Sequence, residues 1–151
     1  MSAKELVNAS HALRRAPVDP ARVADLKRLP TGASWVRTHI LNAHPHAKLT
    51  VYAIWLPILP GDSRGAWDAH VLDDPRVVSL WDGSRLAGKW IANRSLGGLG
   101  GPGNIVWDAY YAFAGNARWR GEPSGLLAAG SDIIDNTNGL EQHFLPLLTS
   151  H

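Results

Sequence analysis

The sequence predicts an α/β domain built on a central mixed sheet with helices on both faces. Three observations carry this. Leu49–Leu56 is a short, near-continuous apolar run rich in β-branched and aromatic residues, the pattern of an interior strand. Strand-like segments then alternate with helix-like ones that carry start signals. Gly115-Asn116 lies between two apolar stretches as a two-residue hairpin connection.

The elements follow in order. Lys4–Arg14 reads as an amphipathic helix with Leu6, Val7 and Leu13 as its apolar residues. Asp19-Pro20 reads as an N-cap followed by proline at the first helical position. The short helix after it carries Val23, Leu26 and Leu29, and Pro30-Thr31-Gly32 ends it. Ser34 is read as the cap of a helix through Trp35, Val36, Ile40 and Leu41, broken by His44-Pro45-His46. The strand Leu49–Leu56 stops at Pro57 and Pro60-Gly61, because proline cannot donate to a sheet ladder. Asp62 or Ser63 caps a helix to about Leu72, and Asp74-Pro75 turns the chain.

Val77–Trp81 is a short strand, and Ser84–Asn93 a helix with Leu86, Trp90 and Ile91 on one side. A glycine-rich loop covers 95–103. Val106–Ala114 is a strand with Ala117–Trp119 as its antiparallel partner, and 121–130 is loop with a short extended piece at Leu126-Leu127. Asn138 and Glu141 have capping-box spacing and open a last helix to about Leu148, interrupted near Pro146.

Composition bounds the chemistry. The 151 residues suit one domain, which at this size buries about 70% of its unfolded surface. There is no cysteine, so disulfides, thiolate catalysis, iron–sulfur clusters and cysteine-ligated zinc are all excluded. Net charge is +2, and no basic run exceeds Arg14-Arg15, so a clustered nucleic-acid stripe is missing. The polar first residues have no apolar leader, and no apolar stretch has membrane-spanning length, so no membrane partner is expected and the cytoplasm is the default location. Seven tryptophans fit either a tryptophan-rich core or an aromatic-lined pocket.

The succession from Leu49 of strand, helix, strand, helix, hairpin and helix resembles the thioredoxin-like fold. Val51-Tyr-Ala-Ile-Trp-Leu-Pro57, Trp55-Leu-Pro-Ile-Leu-Pro-Gly-Asp62, Asp74-Pro-Arg-Val77 with Leu80-Trp-Asp82, and Val106-Trp-Asp-Ala-Tyr110 are similar to segments of bacterial thioredoxin-like proteins. The resemblance implies a helical N-terminal extension over 1–48 and a thioredoxin-like domain over 49–151. It also implies that Pro60-Gly-Asp-Ser-Arg64 stands where the family carries its C-x-x-C motif. No proline stands in Ile105-Val-Trp-Asp108, where the family has its cis-proline. Thiol–disulfide exchange is therefore excluded by composition.

Ligands of open α/β sheets bind outside the carboxyl ends of the strands. The candidate binding residues there are Trp55, Asp62, Ser63, Arg64, Trp81, Trp107 and Asp108, with Pro57 and Asp82 beside them. Asp62 and Ser63 at a helix N-terminus would favour anions. The same residues also fit a helix cap and surface ion pairs around packed tryptophans. The weak metal candidates are His44 and His46, with His39 as a third ligand. Gly98-x-Gly100-x-x-Gly103 matches a dinucleotide fingerprint in letters only, since it follows a helix and precedes a strand. No cofactor is expected. The leading reading is a non-redox module binding a small molecule or peptide. An acid–base or metal-assisted enzyme using Asp and His residues is the alternative, and exposed apolar residues of the N-terminal arm would serve a homodimer.

Overall fold

The computed structural model describes residues 3–8, 32–58, 60–65, 69–131, 133 and 137–149. A mixed five-stranded sheet is its frame. The large-sheet strands are β1 (Ala3–Asn8), β2 (Leu49–Trp55), β3 (Val77–Trp81), β4 (Ala109–Phe113) and β7 (Leu126–Ser131), in the order β3-β2-β1-β4-β7. β1 runs parallel to β2 and antiparallel to β4, β2 is parallel to β3, and β4 is antiparallel to β7. A separate small ribbon pairs β5 (Trp119–Arg120) with β6 (Glu122–Pro123). The helices are α1 (Gly32–Val36), α2 (Leu86–Arg94) and α3 (Thr137–Thr149). Among the described residues, no helix is long and apolar enough to cross a membrane.

Two apolar layers sandwich the sheet. On one face Trp35, Val36, Ile40 and Leu41 meet Val51, Ala53 and Trp55 of β2, Tyr110 and Ala112 of β4, and Leu140 and Phe144 of α3. On the other, Ile91 and Ala92 of α2 pack on Ala109, Tyr111 and Phe113. The alternation of β4 between the layers is the period-two geometry of a strand. All five of its residues are buried. β4 is thus the strand covered on both sides, not β2. In β2 only alternate residues are buried, because the second apolar layer gathers α2 over β4 and β7 and includes no residue of β2.

Several sequence expectations are corrected. Residues 4–8 form β1 rather than the start of a helix, and they supply the middle strand of the sheet. Lys4–Asn8 carries only the adjacent pair Leu6-Val7, so neither period was legible, and pairing to β2 and β4 decides. The rest of that expected helix and the Val23–Leu29 helix lie outside the described residues. Ser34 sits inside α1, which begins at Gly32 and continues as a π-helical segment over Arg37–Asn42. Asn138 lies in the first turn of α3 rather than at its cap.

Gly115-Asn116 turns the chain, with Ala117 N–H donating to Ala114 C=O at 2.9 Å, but the chain does not return along β4 there. The β5–β6 ribbon intervenes, Ala114 N–H bonds Gly125 C=O at 2.8 Å, and β7 becomes the antiparallel partner. Ala117 and Arg118 lie in no strand, and Trp119 pairs with Pro123 in the small ribbon.

β7 is Leu-Leu-Ala-Ala-Gly-Ser, a poor strand former by composition. Its glycine is required by Tyr110: a Cβ on Gly130 would lie 2.5 Å from the Tyr110 hydroxyl oxygen. That hydroxyl bonds His143 Nδ1 of α3 at 2.5 Å and ties the sheet to the helix.

The neighbouring phenol is different. Tyr111 is fully buried, and its hydroxyl has no hydrogen-bond partner among the described residues. Burial pushes its pKa well above the ordinary tyrosine value. An unsatisfied buried hydroxyl costs stability. Tyr111→Phe is therefore expected to raise the unfolding free energy by about 1 kcal/mol. Urea denaturation at neutral pH measures this, and a clear loss of stability would contradict it. The variant should also lose less stability above about pH 10, because the unfolded chain ionises this phenol before the folded one does.

Candidate functional site

β2 and β3 end side by side, with Trp55 opposite Trp81 in the parallel register. β4 begins with Ala109 opposite Asn8, at the end of β1. Because β1 and β2 run the same way, the start of β4 lies at the same end of the sheet as Trp55 and Trp81. Trp107-Asp108 therefore leads into β4 two strands away from Trp55, a lateral distance of about 10 Å. The loop carrying Pro57 and Asp62 also leaves from this end.

Each carboxylate has a distinct setting. Asp82 follows β3, and its N–H donates to Trp55 C=O at 2.9 Å. Its Oδ2 accepts the Ala87 N–H at 2.7 Å, so Asp82 caps α2 from outside the helix. This is needed because Arg85, just before α2, has a left-handed backbone (φ 58°) and gives no side-chain cap. Asp108 is the buried charged side chain among the described residues, 6% exposed, with φ 49°. Aspartate tolerates the left-handed region better than most residues. The Asp108 C=O accepts the Ile133 N–H at 3.4 Å, which links the entry of β4 to the segment after β7.

Asp62 is half-buried, and its Oδ2 accepts the Ile58 N–H at 2.8 Å, closing a local turn. Ser63 and Arg64 are exposed in the following turn. No helix begins at Asp62 or Ser63. Among the described residues the helix nearest in sequence is the short 3₁₀ turn Ala69–Leu72, so the expected anion-favouring helix end does not form at Asp62 or Ser63. The aspartate acts as a turn former here, its side chain bonding backwards to Ile58.

The sheet thus brings together Trp55, Trp81 and Asp82. It sets Trp107 and Asp108 at the same end, two strands across. The histidines lie elsewhere. His44 C=O accepts from Arg76, which precedes β3, so the His44-Pro45-His46 loop is at the opposite, amino end of the sheet. His39 stacks on Trp35 at 4.6 Å, and its Nδ1 lies 3.1 Å from Trp35 C=O. Among the described residues, no group of three or more His, Asp or Glu side chains is placed to hold a metal. The glycine motif is used for packing: Gly100 (φ 77°) lies against Ala92 of α2 and Val106.

Two constellations escaped the sequence reading. Arg76 forms a node. Its guanidinium bonds both oxygens of Asp74 at 2.9 and 2.7 Å, and the carbonyls of Leu41 and His44 at 2.8 and 2.7 Å. It thereby satisfies carbonyls at the end of the π-helical segment. Asp-Pro-Arg reads locally as a turn, and its distant carbonyls leave no sequence trace. The second is an aromatic cluster. Trp90 meets the exposed Trp119 at 4.9 Å, Arg94 lies 4.2 Å above the Trp90 ring, and Arg94 Nε is 3.6 Å from Glu122. The Trp90–Arg94 spacing of four on a helix was the available signal. Comparison of the chain with protein-family models, curated proteins and solved structures finds no match to any of the three.

Proposed function

We infer that this chain is a non-redox binding module of thioredoxin-like layout, taking a small molecule or an extended peptide at the carboxyl end of its sheet. The observation that carries the reading is Asp108. A carboxylate is held buried, on a left-handed backbone, at the end of the sheet where Trp55 and Trp81 also terminate their strands. Such conformations and buried charges cluster at ligand sites.

Supporting the layout, helices pack on both faces of a mixed sheet, and two antiparallel strands followed by a helix close the chain. β1 is inserted into the succession of elements that begins at Leu49, as the middle strand between β2 and β4. The absence of cysteine removes thiol–disulfide exchange from the chemistry of that end of the sheet. Trp55 packs into the core, so the partly exposed Trp81 and the neighbouring carboxylates are what suit a ligand with a cationic or N–H donor group.

Asp108, buried at the same end of the sheet, is also the residue that a second reading, acid–base chemistry, would use. Metal assistance by His44 and His46 finds no support, because they lie at the other end of the sheet. The two readings separate experimentally. Thermal-shift assays against short Lys- or Arg-containing peptides, with Asp- or Glu-containing ones as controls, should stabilise the wild type selectively. Asp108→Asn should abolish the selectivity while keeping the fold. Equal responses to both peptide sets, or none, would remove the binding reading.

A further inference from the structure

We propose that the Tyr110–His143 contact is a proton-operated latch, which holds α3 against the sheet while the imidazole is neutral and lets the helix go when the imidazole takes a proton. The latch stands independently of the ligand site.

The contact joins a buried group to an exposed one. Tyr110 is 2% exposed, whereas His143 lies at the surface. The phenol is held in place by both neighbours. β7 closes over it at Gly130, where a Cβ would lie 2.5 Å from the hydroxyl oxygen and 2.7 Å from Cε1, and the Phe144 ring meets it edge-on at 5.4 Å. Among the described residues, His143 Nδ1 is the hydrogen-bond partner of this hydroxyl. A buried O–H needs an acceptor, so the hydroxyl donates and Nδ1 accepts. The single proton of the neutral imidazole then sits on Nε2. Burial raises the Tyr110 pKa above its ordinary value, which keeps the phenol a donor.

A protonated imidazole carries hydrogen on both nitrogens and accepts nothing. The Tyr110 O–H and the Nδ1–H would then point at one another. The exposed ring can swing its charge into water, but the phenol cannot follow and is left buried without its acceptor. Undocking of α3 hydrates it. α3 is the element that gives way, because it belongs to no sheet ladder and leaves without breaking a strand pairing.

Neighbouring charges do not take over the role. β7 carries no titratable side chain, and β4 carries only Tyr111 besides Tyr110, on the opposite face. Before β2, Arg37 bonds the His70 carbonyl and His39 stacks on Trp35. On α3 itself Glu141 stands two positions back, on another side of the helix. Among the described residues no carboxylate pairs with His143.

The undocked helix takes up the proton more readily than the docked one. Docking is therefore complete above the ordinary imidazole value, about pH 6.5, and weakens below it. Amide hydrogen exchange of the full chain reads the opening of α3. From about pH 7.5 to about pH 5.5, corrected for the intrinsic pH dependence of exchange, the opening constant of the α3 amides should rise about tenfold, while that of the β4 amides stays level. His143→Asn sets a carbonyl oxygen near the place of Nδ1 that accepts at every pH, so the rise should vanish. Tyr110→Phe removes the donor and should also abolish it. Nitrogen NMR of the wild-type imidazole gives a readout that needs no variant, and should show the Nε2–H tautomer at about pH 7.5. A proton found on Nδ1, no rise in the wild type, or a rise that survives in either variant would overturn the proposal.

Discussion

Arg76→Ala is expected to lower the unfolding free energy by about 3 kcal/mol. The side chains of Arg76 and Asp74 are 17% and 13% exposed, so little water stands ready to replace what is lost. Truncation strands the Asp74 carboxylate and leaves the Leu41 and His44 carbonyls without their cation. Arg76→Lys should recover less than half, because an ammonium cannot present the planar fork that bonds both oxygens of Asp74 while reaching the carbonyls. Urea midpoints of the three proteins give the comparison.

The pair also predicts a pH dependence. The Arg76 side-chain hydrogen bond holds Asp74 below the usual carboxylate range, against the opposing effect of burial. The unfolded chain therefore takes up this proton at a higher pH than the folded one. The stabilisation is complete above the ordinary aspartate pKa and is lost as pH falls through the lowered value in the fold. Asp74→Asn should flatten the loss of stability below about pH 4, while Arg76→Ala should move the same way with a larger loss at neutrality.

Gly88→Val is the second large effect, also about 3 kcal/mol. Gly88 lies on the buried side of α2. A Cβ there would stand 2.5 Å from the Val106 carbonyl oxygen, 2.8 Å from Ile105 Cγ2 and 3.2 Å from a Leu56 methyl. The oxygen cannot give way cheaply, because the Val106 N–H is bonded back to Gly88 C=O at 3.1 Å. Helix and loop are locked backbone to backbone. Gly88→Ala tests the balance: alanine gains about 1 kcal/mol of helix propensity but meets the same oxygen, so a smaller net loss is expected. Thermal unfolding of both variants orders them. Because α2 starts from the Asp82 cap, the displacement would reach the Trp81-Asp82 end of β3.

What was legible in the sequence follows the range of the forces involved. β2, β3, α2 and α3 were read because apolar spacing and nearby Pro, Gly or Asp residues fix them locally. β1 and β7 were not, since Ala3–Asn8 and Leu126–Ser131 become strands only through partners far along the chain. The Gly115-Asn116 signal was a true turn attached to the wrong partner. At the candidate site, the side-by-side Trp55 and Trp81 could be read from two strand ends. The fate of Asp62 could not, because an aspartate after Pro-Gly can cap a helix or bond backwards to its own loop with the same local sequence. The burial of Asp108 also required the sheet order, which no local pattern encodes.

The place of β1 has a consequence for the order of assembly. Lys4 stands opposite Phe113 and Asn8 opposite Ala109, so β1, although early in the chain, cannot complete its ladder until β4 is available. Until then β2 and β3 can associate with each other and with β1, but the seam toward β4 and β7 stays open. Closure over that span makes folding slow relative to a chain of local contacts. During synthesis at about 5–20 residues per second, apolar strand edges would wait several seconds for their neighbour. A circular permutant that brings the β1 segment directly after the β7–α3 unit would exchange the two spans, making β1–β4 the near pair and β1–β2 the distant one, and should refold at a similar rate with the same final sheet.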